Sequence, residues 1–494
     1  MAIVPETRLP RDPAVPLVVV GAVLVSVVFG VVAGRAVVGG KPVDLLLLAV
    51  VAFVPVIVIW APRIGVLGLL AVALLIEQVP VAGMSGLVTD HVPLFGGVSQ
   101  NVHGNPVDIL IVLLLGVLMV RGADGTTRLP KTTLGRTIAW LCAAVLFGLM
   151  IGMLHHGSTR VALMEIRPFL YLASAYVLTT AFLGRRRLLN AAMWVIVIIS
   201  GVKGVQAILA FLSVRNANPR PESILGHEES FLFGVFIVLT VALWLLERRG
   251  ALRTTAMWLL PIVFLGDMVN SRRTAWLILA VALIVVGIMA AVVVPARRRV
   301  LMRAGIALAV VLCVYLPAYW NQPGTTLGQP ARAIHSFISP DPRDASSDLY
   351  RTQENANLTL NIRQGGVLGK GFGIPIDYAL PITNISNIDP QIAYIPHDGV
   401  LYIVMRMGLF GAITFWCVIG VGLITACRLA RRADLDAAVI GFVTAASIVG
   451  YTLQGYSDQG FFLYRIAICM GVLLGLSEVA TRLADATDKT SGAA

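Results

Sequence analysis

The sequence predicts an all-α polytopic membrane protein of about 12–14 transmembrane helices with one large helix-containing extracytoplasmic loop. Three observations lead there. Of the 494 residues, 57% are hydrophobic and only 13% charged. Apolar runs long enough to cross a bilayer recur along the whole chain. Between Tyr319 and Asp398 that pattern stops for roughly eighty residues, too long for an idle connection.

Taken in order, the expected spans are 14–33, 43–60, 63–77, 106–121, 137–154, 161–183, 189–213, 231–247, 254–270, 274–294, 303–319, 399–427, 436–455 and 460–480. Arg8 and Arg11 ahead of the first apolar run resemble a signal peptide, but no small-residue cleavage site follows, so it reads as a span. The organisation expected is N-terminal helices over 1–318, the loop over 319–398, C-terminal helices over 399–480 and a cytoplasmic tail over 481–494, small, polar and disordered from Asp485.

The net charge of +12 does not argue for nucleic acid, because the basic residues cluster in short segments between apolar runs. With the N-terminus in the cytoplasm, one face collects Arg185–Arg187, Arg248, Arg249, Arg297–Arg299, Arg431 and Arg432. By the positive-inside rule that face is cytoplasmic, an even span number puts both termini there, and the long loop faces outward. All five cysteines lie in or beside apolar spans, so no disulfide framework or thiolate metal site is visible.

Within the loop, Ser346-Ser347 is placed to cap a helix from about Asp348 to Arg363, with Leu349, Tyr350, Ala356 and Leu360 as its apolar stripe and Gly365-Gly366 ending it. The run Gly365–Gly373 fails as a phosphate loop, because its glycine spacing is wrong and Gly371 replaces the Ser/Thr. Backbone flexibility that lets the loop pack closely is its expected role. Asn357-Leu358-Thr359 and Asn384-Ile385-Ser386 match glycosylation sequons.

Charges at membrane depth mark a pathway or a site. Arg167 opens the sixth span near Arg160 and Glu165, Lys203 lies inside the seventh, and Arg272-Arg273 sits at the turn between the ninth and tenth. Arg406 and Arg465 lie in later spans. Converging cations suit an anionic lipid such as a polyprenyl phosphate or diphosphate. Pairing with Glu165, Asp267, Glu354, Asp398 or Asp458, or snorkelling to headgroups, explains them as well. His397-Asp398 ends the loop where the chain re-enters the membrane, and a histidine there is placed to act as a general base. His91, His103 and His227 with Glu228-Glu229 lack metal-ligand spacing, so no metal is expected.

Ser271-Arg272 opening a span, Tyr350-Arg351 on a loop helix, Gly369-x-Gly371-x-Gly373, and His397 followed by Leu401 and Gly408 together resemble the O-antigen ligase/polymerase superfamily. The resemblance covers roughly Arg160 to Gly411. It implies a metal-independent, inverting glycosyltransferase of the GT-C type in the bacterial cytoplasmic membrane, with its active site outside and no cofactor. Such an enzyme moves a glycan from an undecaprenyl-type pyrophosphate carrier to an acceptor hydroxyl, in cell-surface polysaccharide or cell-wall assembly. His397 then corresponds to the base or acceptor-orienting group, and Arg272, Arg351 and Arg167 to binders of diphosphate or glycan. Arg273, Lys203, Arg406 and Asp398 complete the expected substrate-binding set. The family's usual His-Asn is His397-Asp398 here, and the acidic neighbour is expected to raise the imidazole pKa. Donor lipid, glycan or glycolipid acceptor and membrane lipid are the expected partners, with no nucleic acid. A polymerase of the same superfamily, and a transporter or flippase for a lipid-linked anion, are the alternatives.

Overall fold

A computed structural model describes residues 54–78, 94–96, 104–125, 131–217, 223–322, 325–383 and 391–491. The expected span 14–33, most of 43–60, His91, His103 and the sequon at Asn384 lie outside them. The described residues are helical, without strands. They form α1 (Pro62–Leu75), α2 (Pro106–Ala123), α3 (Thr133–Leu154), α4 (Thr159–Phe182), α5 (Arg186–Val214), α6 (Glu228–Leu245) and α7 (Ala251–Val269). Then follow α8 (Arg273–Val293), α9 (Arg298–Tyr319), α10 (Gln329–Ile338), α11 (Pro342–Gly365), α12 (Gly399–Leu429), α13 (Leu435–Ser457) and α14 (Tyr464–Ser491). Eleven of these are long and apolar enough to cross a membrane, each coinciding with an expected span; α1 is shorter. The chain is a multi-pass helical membrane protein.

Local sequence explains the helix starts. Asn105 and Asp108 form a reciprocal capping box on α2, with Pro106 in the first turn. Thr132 and Asp434 cap α3 and α13 through their side-chain oxygens. The bundle centre is α4, α6, α13 and α14. Gly471 and Gly475, four residues apart on α14, let α4 approach so closely that a Cβ on Gly471 would lie 2.3 Å from the Leu172 carbonyl oxygen. This is the small-residue packing that membrane helices use, where apolar surface alone gives no preference for protein over lipid. By contrast, α9 buries no residue.

The loop is anchored through a break in α12. Gly408 has φ +60° inside the helix, which frees carbonyls of the preceding turn. The segment after α11 fills that gap: Lys370 N–H donates to the Met405 oxygen (2.7 Å), Gly371 N–H to Arg406 (3.1 Å) and Phe372 N–H to Gly148 on α3 (3.1 Å). Gly371 has φ +82°, and a Cβ there would sit 2.1 Å from the Gly152 nitrogen. The glycine run is therefore a tightly clasped segment, its positive φ values serving the close packing expected of it.

Three expectations are corrected. The loop helix begins at Pro342, capped by Asp341, whose side chain accepts from Asp344 N–H (2.8 Å); Ser346-Ser347 lies inside it. An Asp N-cap followed by proline is the stronger start signal. Its inward face is polar, with Glu354, Asn357 and Asn361 buried and Leu349 exposed. Asn357 grips the N–H and C=O of Leu380, and Asn361 those of Asp377, so Asn357 serves the fold and is no exposed glycan acceptor. Finally, α14 runs to Ser491, so the described part of the tail expected to be disordered from Asp485 is helical.

Candidate functional site

One turn of α11 carries Tyr350, Arg351 and Glu354 to the end of the bundle where α12 begins. His397 meets them there. Its backbone N–H donates to Glu354 Oε2 (3.0 Å), and its Nδ1 lies 3.2 and 3.3 Å from the two Glu354 oxygens. The Tyr350 ring packs edge-on at 5.7 Å, and the His397 carbonyl accepts from Gln459 N–H (2.9 Å). Ring and backbone are both held. Glu354 is fully buried while the His397 side chain remains 21% exposed, and Nε2 has no partner among the described residues.

Burial alone would lower the His397 pKa. The hydrogen bond and charge of Glu354, with the charge of Asp458, outweigh it and raise the value, against Arg351. Glu354, and not the neighbouring Asp398 expected from sequence, is thus the acid that tunes this imidazole. The sign for stability follows. A raised folded-state pKa stabilises fully below the unfolded value, about 6.5, and that stabilisation is lost as pH rises through the folded value. Hydrogen exchange of the α11 amides, corrected for intrinsic rates, is expected to quicken as pH rises above neutrality in the native protein. In Glu354→Gln the dependence should flatten; an equally steep dependence there would assign it to another group.

A second histidine–carboxylate pair stands beside the first. His227, the residue before α6, directs Nδ1 to Asp458 Oδ2 at the end of α13, and 45% of its side chain is exposed. Arg272, at the start of α8, donates from Nη2 to the Ser223 hydroxyl (2.7 Å). Burial would raise the Asp458 pKa, but the His227 imidazole and the Arg351 and Arg272 guanidiniums hold it far below the usual carboxylate range. Arg351 lies within electrostatic reach of both Asp458 and His397.

The other expected site residues lie elsewhere. Arg273 turns from Arg272 toward the loop, 3.3 Å from Asp344 and 4.0 Å from Asp348, so separate carboxylates relieve the repulsion between these adjacent cations. Asp398 Oδ1 caps α12, accepting from Val400 (2.9 Å) and Leu401 (3.0 Å), and Oδ2 accepts from Asn355 (3.4 Å). Burial raises the Asp398 pKa despite those cap bonds. Arg406 is wholly buried, paired with Glu165 (2.7 Å) and donating to the carbonyls of Gly371, Ile374 and Tyr394. Lys203 and Arg465 are equally buried. They donate to the carbonyls of Ala73, Leu74 and Leu75 at the C-terminal end of α1, and pair with Glu77, Glu228 and Glu229. Cations at a helix C-terminus satisfy its orphan carbonyls and its dipole. For Lys203 and Arg406, the structure thus favours the internal pairing left open by sequence.

Arg167 does not join the His397 cluster. It pairs with Asp108 (3.0 Å) and lies over the Tyr464 ring at 5.6 Å. With Arg160, Gln391, Gln78 and its partner Asp108 it lines a cavity of about 750 Å³ whose remaining walls, including Leu163 and Val112, are mostly apolar. A second cavity of about 900 Å³ shares Leu115, Leu170 and Ser174 with it and reaches Lys131 and Arg136. Cationic groups therefore stand at both ends of an apolar groove along α2 and α4.

Sequence reasoning named Glu354 and Asp458 only as pairing partners and set His227 aside for lacking metal-ligand spacing. A signal was present: His227-Glu228 and His397-Asp398 are both His-acid steps at the opening of a long apolar helix. Among the described residues, no group of three or more His, Cys, Asp or Glu is placed to hold a metal ion. No protein-family model matches the chain, and a comparison with curated proteins finds no match. The site brings together two carboxylate-oriented imidazoles, with Arg351 and Arg272 acting on the shared Asp458.

Proposed function

We propose that the protein is a membrane glycosyltransferase of GT-C type that moves a glycan from a polyprenyl-type diphosphate lipid to an acceptor hydroxyl, as O-antigen ligases do. On this reading it lies in a bacterial cytoplasmic membrane with termini cytoplasmic, and the site faces outward. The observation that carries it is His397: Nδ1 is fixed on buried Glu354 while Nε2 stays open, with Arg351 in electrostatic reach and Arg272 reaching the shared Asp458. A base needs that orientation to take the acceptor proton. A departing diphosphate needs fixed positive charge where its own charge develops, which guanidiniums supply without a metal. Displacement at the anomeric carbon by the acceptor oxygen inverts configuration.

The groove along α2 and α4, with Arg167 and Arg160 at one end, suits a lipid carrying an anionic headgroup. Ligase and polymerase share this donor chemistry. The transporter alternative drew on intramembrane cations, but Lys203, Arg406 and Arg465 have their charges paired with carboxylates inside the protein. The test is purified protein in nanodiscs given a polyprenyl-diphosphate-linked glycan and hydroxyl acceptors. Wild type should form glycoside and release lipid diphosphate, and Arg272→Ala should lower kcat/KM by roughly 10²-fold or more. Glycan crossing the bilayer without glycoside formation would replace the reading with transport.

A further inference from the structure

His227 and Asp458 repeat the arrangement of His397 and Glu354. In each pair Nδ1 faces a carboxylate that is almost or wholly buried, and the ring sits within two residues of a helix start. Nε2 of neither ring has a partner among the described residues. Asp458 links the pairs: it contacts His227, its charge reaches His397, and Arg351 and Arg272 both face it. Two histidines oriented alike around shared cations suit two proton positions, one on each side of a reacting bond.

The surroundings separate the two roles. His227 immediately precedes an 18-residue helix, and its partner Asp458 lies within the electrostatic reach of Arg272 and Arg351, cations that favour an anion nearby. It is also the more exposed ring, 45% against 21%, so a bulky anion reaches it. The group facing it is Asp458, at the end of α13, which itself feels Arg272 at α8 and Arg351 on α11 and whose charge reaches His397. Glu228 on its own helix is committed to Arg465 (2.9 Å).

We propose that His227, oriented by Asp458, is the acid that protonates the departing diphosphate, opposite His397 as the base for the acceptor. The acceptor oxygen bonds to the anomeric carbon, and the bond from that carbon to the diphosphate oxygen breaks with its electron pair left on oxygen. The acceptor proton passes to His397 Nε2, and His227 Nε2 gives its proton to the diphosphate. Water returns both rings to their starting states, and nothing is oxidised or reduced. This rests on the transfer reading above, so its test includes a measurement that needs no transfer.

Farnesyl diphosphate binding to the full chain in nanodiscs is measured across pH 5.5 to 9 for wild type, His227→Gln, Asp458→Asn and His397→Gln, with glycan-transfer profiles alongside. Wild-type affinity should fall as pH rises. His227→Gln should weaken binding about tenfold at the acid end and flatten the trend, while His397→Gln keeps it. In transfer, His227→Gln should lose the alkaline limb of kcat/KM and about 10²-fold in kcat. Native-like binding and pH trend in His227→Gln would overturn the assignment. Altered binding in that variant, with no transfer by wild type, would leave the anion site standing and sink the transferase reading. Normal folding of each variant is checked by thermal unfolding.

Discussion

Replacing Arg406 by alanine is expected to give the largest loss of stability in the molecule. The guanidinium pairs with fully buried Glu165 and donates to three carbonyls of the loop. Glu165 in turn accepts from Gly373 N–H (2.5 Å) and the Tyr402 hydroxyl (2.8 Å), so one ion pair joins α4, α12 and the glycine segment. Removing one partner leaves an uncompensated buried charge, at a cost of about 3–5 kcal/mol. Thermal unfolding in detergent should show a midpoint lowered by several degrees, with residues 366–373 becoming open to proteolysis. Arg406→Lys should recover little, since one ammonium cannot reproduce the planar fork that reaches all three carbonyls. Unfolding indistinguishable from wild type in both variants would show that the pair does not hold the loop.

The largest expected effect on chemistry belongs to His397. A glutamine there keeps a polar side chain of similar reach but cannot carry the proton. Glycan transfer should fall by about 10²–10⁴-fold, the usual range for general acid–base catalysis, with the loss in kcat. Donor affinity should change little, because Arg272 and Arg351 remain. Steady-state transfer and equilibrium binding of a lipid diphosphate, measured on one preparation, separate these quantities. Transfer retained within a few-fold would reduce His397 to an orienting role.

The bundle was legible in the sequence because lipid imposes a simple rule: backbone polar groups must be satisfied within each helix, so spans read as long apolar runs. The loop followed other rules. The buried face of α11 includes Glu354, Asn357 and Asn361, which bind backbone and a histidine, so a search for an apolar stripe passed over them and included exposed Leu349. Lys203 and Arg406 drew attention as intramembrane cations, but sequence order does not reveal that Leu75 or Glu165 lies beside them. His397 and Arg272 were legible because each stands at a boundary. The pairing of His227 with Asp458 spans more than two hundred residues of chain, and only the fold brings it together.

The break in α12 has a consequence for how the protein is made. Gly408 stops helical hydrogen bonding there, and the bonds that replace it come from residues 370 and 371, far earlier in the chain. A nascent α12 leaving the ribosome therefore has unsatisfied carbonyls until that earlier segment is delivered to it. Truncations or fusions placed between Gly373 and Gly399 would separate the two during membrane insertion. The loop and α12 must be synthesised, inserted and replaced as one unit, which rules out transplanting the loop alone onto another bundle.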